Sequence, residues 1–551
     1  MKELPTGIED FKELIDKDYY YVDKTAFIKD VCKEKVALYT RPRRFGKTLN
    51  MSMLYYFFSI KQKQNAYIFD GLNITEDKEI MKHQNQYPVI YITLKNLKND
   101  TYEKQLDIYG ALICGILRNN QELLTSEAIN EIDREQLLKY YKKQVSEAEL
   151  QLGLQFLSEC LYQHYQKRVI LLIDEYDVPL QDAYLNGYYD KMVNFLKNVF
   201  GAALKTNDAL EKGILTGCLR IAKESIFTGL NNFKVFSIFD DVSSHSFGFE
   251  QSEIDQMLKD YDQLEYRQEI KEWYDGYLFG YDEIYNPWST LMYVDRLTNS
   301  RNKAPASFWA NTSGNDIIER YLSKATPQMR EEFDILTSGG TLDKTIKSEL
   351  TYREMDKIDN IYSFLLFTGY LKVVEPIDNY LDIYRLKIPN KEIYKIYETI
   401  FKEWFQEQIE HSSEAFAEAL MKEDVDKANE ILNQILFQSI SYFDYDERFY
   451  HGILVGLFSD YRVVSNQESG LGRYDIAVLP TFKKKRGLLF ELKVSKTEDE
   501  TQEISEKACQ QILDKKYIEG LQRKGYRDII GYGIAFYKKS CWITSIKDVN
   551  K

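Results

Sequence analysis

Short apolar runs alternate with longer segments of helical periodicity in the first part of the chain. Three runs have strand length and polar borders, at residues 88–94 (PVIYITL), 169–173 (VILLI) and 213–217 (GILTG), and a shorter one covers 36–38. Five consecutive apolar residues at 169–173 are typical of a strand buried on both faces of a parallel sheet. The pattern therefore predicts an α/β domain with a parallel sheet at about residues 1–250.

The middle of the chain, residues 251–440, reads as mostly helical. A Trp- and Tyr-rich patch at 250–300 predicts a helical lid packed on the sheet. Residues 360–393 read as helix, strand, turn, strand and helix, which favours a winged-helix-like module. Such a module can bind DNA, or it can pack against its neighbour in the chain. The predicted wing carries three acidic residues, Glu375, Asp378 and Asp382. Their charge disfavours contacts with phosphate, so we expect packing.

A third pattern begins near residue 447, within a domain that we place at residues 441–551. A helix comes first, and two later strands are joined by a basic turn at 483–486. The predicted elements are strands at 461–466, 473–479, 487–494 and 530–536 and a helix at 508–517. This order predicts a second, smaller α/β domain.

Composition and charge narrow the class of protein. The chain has 551 residues, 44% of them hydrophobic and 29% charged, which is ordinary for a globular protein of about two to four domains. No apolar run is long enough to span a membrane, and the six cysteines form no Cys-x-x-Cys pair. We therefore expect a reduced, cytoplasmic protein without membrane contact. A net charge of −14 argues against a uniformly basic coat but leaves room for a local basic groove.

Residues 39–49 (YTRPRRFGKTL) follow the first apolar run and precede a segment of helical spacing. Strand, loop and helix together form the context of a phosphate-binding loop. Gly46 lets the backbone approach a phosphate, Lys47 can reach β- and γ-phosphate oxygens, and Thr48 can offer its hydroxyl to Mg²⁺. The first Gly of the general pattern is replaced by Arg41, so the loop is degenerate.

Two carboxylates end the buried run at 169–173, where ligand sites collect in open parallel sheets. We expect Asp174 to hold Mg²⁺, directly or through water, and Glu175 to act as general base toward the attacking water. Thr216, at the end of the next run, is expected between the catalytic carboxylate and the γ-phosphate. Arg220 can reach phosphate charge in cis, or it can form a surface ion pair.

Several strings between residues 4 and 315 form a recognisable set. They include LPTGIEDFKELI, YYYVDKTAFI, YTRPRRFGKTLNMSML, LLIDEYDVPL, LTGCLRIAKESIFTGLNNF, WYDGY and FWANTSGN. Together they closely resemble the AAA-ATPase-like family of bacterial P-loop proteins. That family has its own form of the loop, R-P-R-R-F-G-K-T, so the resemblance places Arg41 among the nucleotide-binding residues. It implies a P-loop ATPase with ATP and Mg²⁺ as cofactors.

The predicted hairpin of the C-terminal region carries charged residues inside its strands. Asp475 lies in one strand, and Glu491 and Lys493 lie two residues apart in the next, so both project to one face. Asp475 and Glu491 can then share a divalent cation, and their hard oxygen ligands suit Mg²⁺ or Mn²⁺. Lys493 can orient or activate the attacking water, or neutralise developing phosphate charge.

The pattern E…GxGRxDI…ELK…QI…Y at residues 468–517 resembles the PD-(D/E)xK nuclease superfamily, in the version commonly joined to this ATPase. The resemblance implies that Asp475, Glu491 and Lys493 are the core of a nuclease site. The further members that it implies are Glu447, Glu468, Gln511 and Tyr517.

Three functional hypotheses remain open at this point. The first is an ATPase with a metal-dependent nuclease domain that cuts phosphodiester bonds of DNA or RNA. The second is a switch without cleavage activity, in which ATP controls binding to nucleic acid or protein. The third is a bare ATPase whose C-terminal region is a scaffold. The expected partners are ATP and nucleic acid, and assembly into a homo-oligomer is compatible with each hypothesis.

Overall fold

The computed structural model describes residues 1–220, 227, 233–309, 326–354, 360–438 and 447–549. The chain folds into two compact units. The first comprises Met1–Ser313 and Thr341–Tyr394, and the second comprises Gly314–Gly340 and Lys395–Lys551. Part of the FWANTSGN string, residues 310–315, lies outside the described residues.

The first unit is built on a five-stranded sheet whose neighbouring strands are all parallel. Its strands are β1 (Val36–Thr40), β2 (Val89–Thr93), β3 (Val169–Asp174), β4 (Leu210–Gly217) and β5 (Phe233–Phe236). Their order is β2-β3-β4-β1-β5. Every residue of β1 and of β3 is buried, as their apolar sequences predict. The predicted parallel α/β core is confirmed, and β4, which carries Thr216, lies between β1 and β3.

Helices of this unit precede β1 or connect the strands that follow it. They are α1 (Phe11–Asp16), α2 (Phe27–Lys33), α3 (Lys47–Phe58), α4 (Lys78–Met81), α5 (Tyr102–Arg118), α6 (Glu131–Tyr141), α7 (Glu147–Tyr165), α8 (Val178–Leu185) and α9 (Tyr189–Phe200). Helix α7 begins at a capping box in which the Ser146 hydroxyl accepts from the Glu149 N–H and the Glu149 carboxylate accepts from the Ser146 N–H. This cap fixes where the long helix before β3 starts.

The aromatic middle of the first unit is helical and contains one small hairpin. Its elements are α10 (Gln251–Asp260), α11 (Arg267–Tyr274), β6 (Tyr277–Phe279), β7 (Asp282–Ile284) and α12 (Pro287–Asn299). The hairpin packs on the phosphate loop, because the Phe45 ring lies 4.9 Å from the Tyr277 ring and 5.1 Å from the Phe279 ring. The Trp/Tyr-rich segment is thus a cover for the loop.

A winged-helix-like module completes the first unit. In the chain it follows α13 (Pro327–Thr337), which belongs to the second unit. The module contains β8 (Leu342–Thr345), α14 (Ile361–Thr368), β9 (Lys372–Asp378) and β10 (Ile383–Lys387), and its antiparallel strands have the order β8-β10-β9. The Tyr384 ring lies 4.9 Å from Phe239, and a Cβ on Gly369 would lie 3.1 Å from Pro42. The module therefore packs against the ATPase-like part, as its acidic wing leads us to expect.

The second unit has a five-stranded mixed sheet. Besides α13, its helices are α15 (Lys391–Met421, which contains the boundary between the units), α16 (Val425–Gln438), α17 (Glu447–Leu457), α18 (Thr501–Asp514), α19 (Tyr517–Arg523) and α20 (Ile546–Val549). Its strands are β11 (Val463–Ser469), β12 (Gly472–Val478), β13 (Arg486–Val494), β14 (Asp528–Tyr537) and β15 (Ser540–Ser545). They follow one another in the sheet in this order, and only β13 and β14 are parallel.

Two details of this unit differ from the sequence prediction. Edge strand β15 was not predicted, because only part of its short sequence, SCWITS, is apolar. The predicted helix at 508–517 ends earlier: α18 stops at Asp514, and Lys516 has a left-handed φ of 54°. Tyr517 therefore begins a new helix, α19, and does not end α18.

Candidate functional site

The phosphate loop joins β1 to α3 in a conformation that depends on glycine. Gly46 caps the helix with φ 81°, and Arg44 before it also has a positive φ, 69°. The left-handed region is open to glycine at little cost and strained for most other residues. The loop therefore delivers the first turn of a twelve-residue helix, with its unpaired N–H groups, to the end of the central strands.

Lys47 is held by the loop to which it belongs. Its ammonium donates to the carbonyl oxygens of Arg41 at 3.0 Å and Pro42 at 2.9 Å, and it lies 3.6 Å from the Cys218 sulfur. The residue is buried. The backbone carbonyls thus hold the Lys47 ammonium at the loop.

Two of the predicted site residues converge on the carboxylate of a third, Asp174. The Thr48 hydroxyl donates to Asp174 Oδ2 at 2.8 Å, and the Thr216 hydroxyl donates to Asp174 Oδ1 at 2.5 Å. Burial, together with the charge of the adjacent Glu175, raises the pKa of Asp174 to about 6, and the hydrogen bonds from the two hydroxyls oppose the rise. The first turn of α3 and the ends of β3 and β4 therefore meet at Asp174.

Glu175 follows in a strained backbone conformation. The φ of Glu175 is 52°, and the residue lines a cavity beside the phosphate loop. A non-glycine residue in this region persists only where the surroundings hold it, as they do at many functional sites. The Tyr176 N–H donates to the Thr216 carbonyl at 3.0 Å, which fixes the turn after β3.

Asp177 was missed by the sequence reasoning, although it closes the string DEYD. Its Oδ2 accepts the N–H groups of Cys218 at 2.9 Å and Leu219 at 3.0 Å, so it ties the end of β4 to the turn after β3. Gly217 lies in this junction, where an added Cβ would be 2.6 Å from the Tyr176 ring and 2.8 Å from the Asp177 carboxylate. The close packing requires glycine there.

A cavity of about 370 Å³ opens beside these groups. The residues that line it come from the loop and first turn of α3, from Glu175, from the N-terminal segments around Gly7 and Tyr21, and from α12. Arg43 and Arg44 also line it, and the Arg44 guanidinium lies 4.1 Å from the centre of the Trp288 ring. The paired arginines of RPRR, directly before the Gly-Lys-Thr string, were the sequence signal for these extra cations.

Arg41 has a different place from the one expected for a nucleotide-binding residue. Its buried guanidinium donates to the carbonyls of Thr40 and Phe236, both at 2.9 Å, and lies between the Phe247 and Phe279 rings. Burial lowers its pKa to about 10. The Arg41 side chain thus braces backbone carbonyls and does not line the cavity among the described residues, while its carbonyl oxygen accepts from Lys47; its role in cofactor binding stays a prediction.

Arg220 forms the ion pair that the sequence left as its alternative role. Its guanidinium lies 2.6 Å from the Glu349 carboxylate, and both side chains are about one-third exposed. It does not line the cavity within the part of the chain that the structure describes. The contact connects the segment after β4 to the winged-helix-like module.

The C-terminal candidate site lies on two neighbouring strands. Asp475 is on β12 and Glu491 and Lys493 are on β13, and the Leu492 N–H donates to Asp475 Oδ2 at 2.7 Å. Gln511 on α18 connects the other two residues. Its amide group donates to Glu491 Oε1, and its Oε1 accepts from the Lys493 ammonium at 2.8 Å. Four predicted residues are therefore brought together.

The carboxylates of this cluster are crowded and poorly satisfied. Burial, then the neighbouring Asp475, raises the pKa of Glu491 to about 8, and Lys493 opposes the rise. Burial also raises the pKa of Asp475. Glu491 Oε2 is buried and has no hydrogen-bond partner among the described residues. An unpaired carboxylate oxygen beside a second carboxylate is suited to a cation.

Helix α17 brings two more groups toward these strands. Glu447 raises the pKa of both carboxyls, Asp475 and Glu491, through its charge. His451, one turn later, acts on Asp475 in the opposite direction, and its buried Nε2 has no partner in the described structure. His451 was missed by the sequence reasoning, although its spacing of four from Glu447 places both on one helix face.

The other two predicted members have different outcomes. Tyr517 is buried at the start of α19, and its phenol interacts with Gln511. Glu468 does not join the cluster: its side chain is 82% exposed and lies 3.7 Å from Arg473. The pairing of Glu468 with Arg473 across the hairpin places it toward the solvated turn, beyond the strand position of Asp475. Its assignment as an acidic member of the site is therefore corrected.

Neither site has a complete set of ligands in place for a metal ion. In the described ranges, no group of three or more His, Cys, Asp or Glu side chains is arranged to hold one. Oxygen-bearing side chains do adjoin in each site, Thr48 with Asp174 in the first unit and Asp475 with Glu491 in the second. These are hard donors, which suit Mg²⁺ or Mn²⁺.

Fold and sites define a P-loop ATPase-like domain and a nuclease-like domain in one chain. Residues 5–227 match the family described as "Predicted AAA-ATPase", AAA-ATPase_like, and residues 445–546 match the PD-(D/E)XK nuclease superfamily. These two matches confirm the resemblances noted in the sequence. The matches support ATPase and nuclease-like function in general, with ATP, a divalent metal and nucleic acid as the corresponding ligands.

One relative comes from Azotobacter chroococcum mcd 1 and is described as "Uncharacterized protein in vnfD 5'region". It is 27% identical over 295 residues, which are 53% of this chain and 51% of that protein. The chain thus spans about half the length of this relative. Among the described residues, no helix has the length and apolar character needed to cross a membrane.

Proposed function

We propose that this protein binds and hydrolyses ATP in its first unit and cleaves phosphodiester bonds of nucleic acid with a divalent metal in its second. The observation that carries the proposal is the cluster in which Gln511 bonds both Glu491 and Lys493 and Asp475 accepts from the N–H of Leu492 between them, in a chain that also carries an ATPase-like site. A module that only bound nucleic acid would need no buried carboxylate pair.

In the first unit, Lys47 would exchange its carbonyl partners for β- and γ-phosphate oxygens of ATP. Thr48 and Asp174 would hold Mg²⁺, because their oxygens already meet at 2.8 Å. The metal supplies charge neutralisation of the phosphates. Glu175 would polarise the attacking water, and Thr216 would keep Asp174 oriented.

In the second unit, Asp475 and Glu491 would hold Mg²⁺ or Mn²⁺ on the shared face of the two strands. The metal supplies Lewis-acid stabilisation of the phosphate and lowers the pKa of a bound water. Lys493 would orient the attacking water or offset the negative charge that develops on the phosphate. Gln511 is a positioning residue, since its amide touches both Glu491 and Lys493.

The second candidate function is an ATP-controlled switch that binds nucleic acid or protein without cutting. The raised pKa of Glu491, about 8, favours it, because a protonated carboxyl is a poor metal ligand. The two candidates differ in one observable, which is metal-dependent cleavage.

The test is a cleavage assay with supercoiled plasmid, linear duplex, single-stranded DNA and RNA. Wild-type protein with Mn²⁺ and ATP should nick or cut at least one substrate, and EDTA should stop it. Asp475→Ala and Lys493→Ala should each abolish cutting without weakening ATP binding. Glu468→Gln is the matched control, since it removes an exposed carboxylate of the neighbouring strand and should keep activity. Cleavage that persists in both site variants, or none with the wild type, would contradict the nuclease assignment.

A further inference from the structure

One surface of the C-terminal unit is strongly basic, although the whole chain has a net charge of −14. Residues 481–486, which comprise part of the turn between β12 and β13 and the first residue of β13, and the segment 515–527 hold nine Lys and Arg and one acidic residue, Glu519. Eight of the basic residues are exposed, and we call them the basic band: Lys483, Lys484, Lys485, Lys515, Lys516, Arg523, Lys524 and Arg527.

The two basic segments are fixed side by side by hydrogen bonds. The Lys483 ammonium donates to the Lys524 carbonyl at 2.8 Å, and the Arg527 N–H donates to the Lys483 carbonyl at 3.1 Å. Lys483 also lies 5.2 Å from the Tyr526 ring centre. The basic band is thus a defined surface in which Lys483 has a structural role.

The basic band begins next to the candidate nuclease site. Lys515 lies one helical turn after Gln511, and its N–H donates to the Gln511 carbonyl at 3.0 Å. From there the seven residues of α19 cover about 10 Å at 1.5 Å per residue and end at Arg523, beside Lys524. That length matches about three nucleotide steps of a duplex strand, at 3.4 Å each.

The cations of the basic band are not neutralised by the protein. No carboxylate lies within 4.0 Å of any of their charged nitrogens in the described residues, whereas other lysines of the unit do have such partners. Lys507, for example, lies 2.6 Å from Glu503, and Lys427 lies 2.7 Å from Glu430. Like charges held close together without counter-charges repel one another, and a polyanion relieves that repulsion.

We propose that the basic band binds the phosphate backbone of the nucleic acid that reaches the Asp475–Glu491–Lys493 site. This inference rests on the nuclease function proposed above and adds where the substrate strand runs, along α19 to the β12–β13 turn. Phe482, which is 71% exposed in the same turn, adds a ring on which an unpaired base can stack.

The test compares two triple variants of the full chain in EDTA, so that binding is measured without cleavage. Lys484→Gln/Lys485→Gln/Arg523→Gln removes three charges from the basic band and spares Lys483. Lys422→Gln/Lys427→Gln/Lys507→Gln removes three charges from the same unit outside the basic band. The probes are a labelled 30-nucleotide DNA strand, its duplex and an RNA of the same sequence, each titrated between 50 and 200 mM KCl.

The basic-band variant should weaken binding of the preferred probe about tenfold or more at 100 mM salt. It should also lower the slope of log K against log salt by about 2, since each phosphate contact contributes about 0.7–0.9. The control variant should bind like the wild type. Phe482→Ala should weaken single-strand binding about tenfold and leave duplex binding unchanged if the ring stacks on a base.

Equal behaviour of the two triple variants would overturn the proposal, as would a wild type that binds no probe. Preference for vesicles with 30% anionic lipid over all three nucleic acids would also overturn it, because the surface would then serve a membrane. The results distinguish failure of the basic-band proposal from failure of the nuclease proposal. Asp475-dependent cleavage with an unaffected basic-band variant would refute only the basic band, and basic-band-dependent binding without cleavage would refute only the nuclease activity.

Discussion

The two candidate sites differ in how completely their buried polar groups are hydrogen-bonded. In the first unit, Lys47 is bonded to loop carbonyls and both oxygens of Asp174 accept a hydroxyl. In the second, Glu491 Oε2 and His451 Nε2 have no partner among the described residues. The ATPase-like site is therefore satisfied without a ligand, while the nuclease-like site leaves buried groups that a ligand would satisfy.

The largest effect should come from removing the Lys47 ammonium from the ATPase-like site. Lys47→Ala should weaken ATP binding by roughly 10²-fold or more, because no other group replaces the charge that meets the β- and γ-phosphates. Isothermal titration with ATP and Mg²⁺ measures it. Lys95→Ala is the control, since Lys95 also lines the cavity but is half-exposed and pairs with Glu9, so its loss should change affinity little. Near wild-type affinity of Lys47→Ala would exclude this loop as the phosphate site.

Glu175→Gln separates binding from turnover in the same site. The substitution keeps the size and hydrogen-bonding capacity of the side chain but removes the base, so hydrolysis should fall roughly 10²-fold while ATP affinity stays constant. Phosphate release and isothermal titration, run on the same preparation, give the two values. A parallel loss of affinity would mean that Glu175 holds the ligand and does not activate water.

Metal binding to the second site should depend on pH. With a pKa of about 8, Glu491 must lose a proton to bind Mg²⁺, so below pH 8 the affinity should rise about tenfold per pH unit and then level off. Glu491→Gln should abolish the binding, and Glu468→Gln should leave it intact. Titration calorimetry in two buffers of different ionisation enthalpy should show about one proton released at pH 7. Metal binding that does not change with pH would show that Glu491 is not a ligand.

The same raised pKa has a consequence for stability without metal. Because the folded state binds this proton more tightly than the unfolded chain, the contribution of Glu491 to stability is complete below its unfolded pKa. It is lost as the pH rises through about 8. The apparent Tm should fall across this window in the wild type and less in Glu491→Gln, as measured by scanning calorimetry. The same fall in both proteins would assign the pH dependence to another group.

The smallest expected effect is at Thr216. Thr216→Val keeps the shape of the side chain but removes one of the two hydroxyls that Asp174 accepts, which should cost about 1 kcal/mol of stability. Urea denaturation measures it, with Thr93→Val at the end of β2 as the comparison in a less buried position. A neutral result would mean that Asp174 does not depend on this hydrogen bond.

Local strings were enough to predict the elements and most of the cluster members. Gly46, Lys47 and Thr48 follow a strand, Asp174 and Glu175 end one, and alternation along β13 puts Glu491 and Lys493 on one face. These assignments depend only on short-range geometry. Both sets of residues do meet in the structure, although their chemical roles stay predictions.

The placement of Arg41, Glu468 and His451 depends on packing between segments that are distant in the chain, which short sequence strings do not reveal. The side of the loop that Arg41 faces depends on Phe236, Phe247 and Phe279, which lie far away in the chain. Glu468 is directed to Arg473 by the pairing of β11 with β12, which its own sequence does not reveal. His451 becomes visible as a site residue only when α17 is placed against the strands.

Gly217 has a consequence for the tolerance of the first unit to mutation. Any side chain at this position would overlap the Tyr176 ring or the Asp177 carboxylate, and neither can withdraw without releasing the end of β4. In a library of all single substitutions, position 217 should therefore be as intolerant as Lys47. The cause would be steric exclusion at the strand end, and a residue without a side chain would score as essential.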